Sequence, residues 1–89
     1  MSVHQSHPEI IKRLKRAEGH LRNVIEMIEG QRPCLEIAQQ LHAVEKAITA
    51  AKKELIHDHI DNCLEQSRSA SASKAKQPMA ELKEITKYL

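Results

Sequence analysis

The sequence predicts an all-α protein of three helices, one of them very long. Three observations predict it. Apolar residues recur at steps of three and four through most of the chain, which is the period of one helix face. Those residues are mostly leucine, isoleucine and alanine, while aromatic residues are 1%, a single Tyr88. Two glycines and three prolines in 89 residues are too few for the many turns of an all-β fold.

Residues 1–7 read as a flexible tail. His7-Pro8-Glu9 opens the first helix, because proline is tolerated in a first turn and an acid there suits the helix dipole. Ile10, Ile11, Leu14, Ala17, Leu21, Val24, Ile25 and Ile28 keep helical spacing, and Gly30 is expected to stop the helix. After Gln31-Arg32, Pro33 starts the second helix. From there to about Glu65 no glycine and no further proline intervenes, and Leu35, Ala38, Leu41, Val44, Ile48, Ala51, Leu55 and His59 hold the period. Roughly thirty residues of helix extend about 45 Å, and the first helix covers only about two-thirds of that. Part of the long face therefore calls for another subunit. The segment 67–77, SRSASASKAKQ, reads as a linker of low complexity. Pro78 opens a short last helix with Met79, Leu82, Ile85 and Leu89 on one side. The expected organisation is thus a tail (1–7), a helical core (8–66), a linker (67–77) and a C-terminal helix (78–89).

At 10.1 kDa the chain is one small domain. It has no apolar run of the ~18 residues a membrane span needs, and its start, MSVHQSHPEI, has no apolar signal core. A cytoplasmic location is the expectation. No Gly-rich phosphate loop, nucleophile elbow or paired-carboxylate motif is present, so the sequence does not read as an enzyme. Net charge is only +2, but five basic residues (Lys12, Arg13, Lys15, Arg16 and Arg22) face one acid, Glu18, within residues 12–22. Such a cluster is either a solvated helix face or a patch for phosphate backbones. Lys46, Lys52 and Lys53 continue the positive charge along the second helix. The chain lacks a turn-separated recognition-helix pair, so any DNA contact would use a different surface.

Two cysteines and six histidines are the unusual counts. Two cysteines make a poor disulfide framework and better candidates for a metal site or a redox switch. His59 and Cys63 are four residues apart and share a helix face, so both can reach one ion. Cys34 lies 25 residues before His59, on the order of 37 Å along a continuous helix. Ligand bonds of about 2.0 to 2.3 Å cannot bridge that gap. Either Cys34 is unrelated, for instance a small buried hydrophobe, or the site forms between two antiparallel copies of the second helix, two equal sites per dimer. Two thiolates and an imidazole suit Cu(I), or contribute to a Zn(II) or Ni(II) site completed by another nitrogen. His4, in a Ser2-Val3-His4 terminus exposed by loss of the initiator methionine, or His7 would be such a donor. His57 reads as solvent-facing or as a support behind the ligands, and His20 and His42 are given no role.

The stretch Arg13-Leu14-Lys15-Arg16-Ala17-Glu18-Gly19-His20-Leu21 resembles the first-helix signature of the copper-sensing operon repressor family (CsoR, with its nickel/cobalt- and formaldehyde-responsive relatives RcnR and FrmR). So do Cys34, Ala38-Gln39-Gln40-Leu41, Ala43-Val44, His57-Asp58-His59 and Cys63 in their spacing. The resemblance covers residues 8–66 well and the last helix loosely. It implies a three-helix protomer, a dimer with antiparallel second helices and a tetramer of two dimers. It also implies a repressor whose metal-free form binds operator DNA and whose effector releases it. By position it makes Cys34, His59 and Cys63 the Cu(I) ligands, with Cys34 from the opposing chain. Glu81 falls at the acidic position linking the metal to the last helix, Arg13 and Lys15 fall at DNA-binding positions, and Lys53 replaces an arginine there. Pro33 stands where the copper sensors carry tyrosine. Cys63 points to copper, while His4 and His7 leave Ni(II) or Co(II) as the next effector. A formaldehyde-responsive repressor of the same family is an alternative, and a metal buffer or chaperone without DNA binding is another, since that would not need Arg13, Lys15 and Arg16.

Overall fold

The computed structural model describes residues 6–69 and 72–89 and is all-α: α1 (His7–Glu29), α2 (Cys34–Ser69), α3 (Ala72–Ile85) and a 3₁₀ turn over Thr86–Tyr88. Two compact units divide the chain. One is Pro8–Ala51; the other joins the N-terminal residues through His7 to Lys52–Leu89. The division falls inside the 8–66 segment expected to act as one core.

α1 starts where the sequence places it, with Pro8 in the first turn, but its end has a different cause. Gly30 does not take the left-handed conformation; Gln31 does, at φ 57°. The Gln31 N–H donates to the Ile28 carbonyl at 3.1 Å, and the Arg32 N–H donates to the Met27 carbonyl at 3.0 Å. These paired bonds form a Schellman closure, in which the residue after the last helical turn must turn left-handed. The closure sets that requirement at Gln31, one residue beyond the glycine. Pro33 then caps α2, its carbonyl accepting from the Ile37 N–H at 3.1 Å.

α2 runs for 36 residues, longer than the expected stretch from Pro33 to about Glu65. The expected 67–77 linker is helical at 67–69 and again from Ala72, with residues 70 and 71 outside the described set. Alanine is the strongest helix former, and no glycine or proline interrupts residues 66–77. α3 accordingly begins at Ala72, six residues before Pro78, which lies within the helix. Of the expected 1–7 tail, His7 belongs to α1, and residues 1–5, His4 among them, lie outside the described residues.

Burial follows a seven-residue step. Ile10, Ala17 and Val24 are buried on α1; Val44 and Ala51, then Ile56 and Cys63, are buried on α2. A second apolar stripe at the same step stays exposed: Leu14, Leu21 and Ile28 on α1, and Leu41, Ile48 and Leu55 on α2. Among the described residues no helix is long and apolar enough to cross a membrane.

Candidate metal centre and nucleic-acid face

α2 and α3 bring His59, Cys63 and Glu81 together in one unit. His59 and Cys63 lie one turn apart on α2 because the uninterrupted helical period puts them on one face. Cys63 is 2% exposed, and the His59 side chain is 16% exposed. Nε2 of His59 stands 3.6 Å from Oε1 of Glu81. Burial first, and the Glu81 carboxylate second, push the Cys63 thiol above its ordinary pKa. A protonated buried thiol is inert, and the thiolate is the form that binds soft metals. One residue before His59, Asp58 lies 3.7 Å from Nε2 of His7, so the start of α1 meets α2 beside the pair.

Cys34 is exposed at the first position of α2 and belongs to the other compact unit. Among the described residues no group of three or more His, Cys, Asp or Glu side chains could hold a metal ion within one chain. His57 is exposed, as the sequence suggested. The chemistry present, one soft sulfur and one imidazole backed by a carboxylate, fits part of a soft-metal donor set. A ligating histidine commonly gives its other ring nitrogen to such a carboxylate.

The basic residues lie in solvent. Lys12, Arg13, Lys15 and Arg16 are exposed on α1, and Lys53 is exposed on α2. Lys12 pairs loosely with Glu9 at 3.6 Å. Arg13 and Arg16 line a groove of about 300 Å³ together with Ala17, His20, Ala47 and Ala50. Sequence reasoning passed over His20, whose Nε2 lies 2.7 Å from Oε1 of Gln40. Its partner is twenty residues away, and no local pattern signals such a pair.

Residues 6–89 match the metal-sensitive transcriptional repressor family. The chain belongs to that family. Its members are regulators of transcription rather than enzymes, as the sequence without a catalytic constellation led us to expect. The copper-sensing transcriptional repressor CsoR of Mycobacterium ulcerans (strain Agy99) is 36% identical over 53 residues, 60% of this chain. That stretch is 45% of the Mycobacterium protein, so the chain spans under half the length of that relative. CsoR of Bacillus subtilis (strain 168) is 32% identical over 79 residues, covering 89% of this chain and 76% of the relative. The nickel-responsive transcriptional regulator InrS has a similar structure, with a TM-score of 0.79 and 32% identity over 93% of this chain and 91% of that one. The fold thus agrees with the all-α, three-helix expectation.

Proposed function

We propose that this member of the family is a metal-responsive transcriptional repressor that binds double-stranded operator DNA without metal and leaves it on taking up Cu(I), controlling metal efflux or resistance genes. One observation carries the reading: the buried Cys63 thiol and the His59 imidazole sit one turn apart with Glu81 at 3.6 Å behind the imidazole. Two donors are part of a soft site. Cys34, His59 and Cys63 would hold the ion, with Cys34 supplied by a second copy running antiparallel along α2. Two thiolates and one imidazole provide the low-coordinate soft set that Cu(I) favours. Glu81 would hold the His59 ring in one tautomer and tie the donors to α3. A site shared by two chains couples the effector to their mutual arrangement, and DNA affinity then changes by as much as the two arrangements differ in affinity for the effector.

Lys12, Arg13, Lys15, Arg16 and Lys53 would meet DNA phosphates, which makes binding strongly salt-dependent. The likeness to two copper-sensing repressors supports Cu(I). The likeness to a nickel-responsive regulator supports Ni(II), or Co(II), as a second reading, with His4 or His7 as an added nitrogen donor. The antiparallel dimer, and a tetramer built from two of them, belong to the same proposal.

The test is gel mobility of a labelled duplex carrying the promoter of the chain's own operon. Metal-free protein is expected to retard it, and stoichiometric Cu(I) under reducing conditions to release it. Absence of retardation, or unchanged retardation at saturating Cu(I), Ni(II) and Co(II), rejects the reading.

A further inference from the structure

The Pro8–Ala51 unit contains a histidine that the proposed function leaves idle. Arg13, Arg16 and His20 follow one another at steps of three and four on α1, so one face carries all three. They line one groove together with Ala17, Ala47 and Ala50. Alanine ends at Cβ, so these three side chains leave room beside the arginines. The His20 ring is oriented, its Nε2 lying 2.7 Å from Oε1 of Gln40 on α2. An amide oxygen only accepts, so Nε2 carries the proton of that bond. The other nitrogen, Nδ1, accepts in the neutral ring and donates in the imidazolium. The charged side chains lining the groove are Arg13 and Arg16 from α1, and α2 contributes Ala47 and Ala50.

We infer that His20, oriented by Gln40, contacts a backbone phosphate of DNA in the groove flanked by Arg13 and Arg16 and takes up a proton as it does so. The inference rests on the DNA-binding reading above and adds a residue and a proton to it. Nδ1 gains the proton from solvent, and the resulting N–H donates to a phosphate oxygen. The phosphate anion favours the charged ring, so acid strengthens the contact and alkali weakens it.

The experiment uses the full metal-free chain and the promoter duplex at constant ionic strength between about pH 6 and pH 8. The parent is expected to lose affinity several-fold across that interval. His20→Gln keeps a polar partner for Gln40 but cannot charge. It is expected to bind more weakly at the acidic end, match the parent at the alkaline end, and show a salt slope shallower by about one per engaged chain. Gln40→Leu is expected to lose part of the pH dependence, with circular dichroism verifying that both variants stay helical. An NMR titration of the His20 ring separates the source of the phosphate. A shift with duplex and none with inorganic phosphate at equal ionic strength supports the assignment, and saturation by inorganic phosphate alone overturns it. His20→Gln tracking the parent at every pH overturns the inference and leaves the repressor reading standing. A parent that binds no duplex at any pH overturns both.

Discussion

Cys34 and Cys63 carry the same thiol in opposite surroundings. Cys34 is exposed at the start of α2, and Cys63 is 2% exposed with its pKa raised by burial and by Glu81. Reaction with iodoacetamide needs both access and thiolate. In the native metal-free protein Cys34 is expected to alkylate about tenfold faster or more, as read by peptide mass spectrometry; equal rates contradict the burial of Cys63. In the proposed site, Cys34→Ala and His59→Ala should each abolish the metal response in the mobility assay while leaving DNA affinity intact. Loss of both activities would assign these residues a structural role instead. Glu81→Gln is expected to lower metal affinity by about 10- to 100-fold, measured by chelator competition. The His59–Cys63 pair was readable because a helix converts a spacing of four into adjacency. The contacts of His59 with Glu81, of His7 with Asp58 and of His20 with Gln40 join distant positions, and periodicity carries no information about them.

The helix boundaries show how local chemistry and chain closure divide the work. Gln31 holds a left-handed conformation that costs a non-glycine residue about 1 kcal/mol or more. Gln31→Gly should remove that strain at some loss of chain entropy, for a net stabilisation of about 0.5 kcal/mol. A shift of the urea midpoint to higher denaturant measures it; a shift to lower denaturant contradicts the strain. Ile56, at 2% exposure, is among the largest fully buried side chains. Ile56→Ala is expected to cost about 2 to 5 kcal/mol in the same experiment. α1 and most of α2 were legible because their apolar period is long and clean. The helix over 67–69 and the start of α3 at Ala72 were not legible, because serine and lysine at these positions break up any apolar period.

For the molecule as a whole, the decisive feature is the apolar stripe that the single chain leaves in water. Leu21, Leu41 and Ile48 are 40%, 46% and 44% exposed, and with Val44, Glu45 and Thr49 they line a groove of about 340 Å³. A seven-residue apolar step is the pattern by which long helices bury one another. Within the proposed antiparallel dimer this stripe is the contact. Metal-free protein should then sediment at twice the 10.1 kDa chain mass or a higher even multiple, and Ile48→Glu should shift it toward the single chain. A parent that sediments as one chain would remove the second copy on which the three-donor site depends.

The sequence by itself determined the all-α class, the long central helix, the basic face of α1 and the pairing of His59 with Cys63. Each of these follows from spacing within one element, where 3.6 residues per turn converts position into direction. Tertiary structure decided which apolar stripe is buried within the chain and which is left exposed. It also decided that Glu81 stands behind His59, that Gln40 turns His20 into the arginine groove, and that Gln31 closes α1. Those outcomes depend on how separate segments meet, and segment meetings are set by packing and hydrogen-bond closure across the fold.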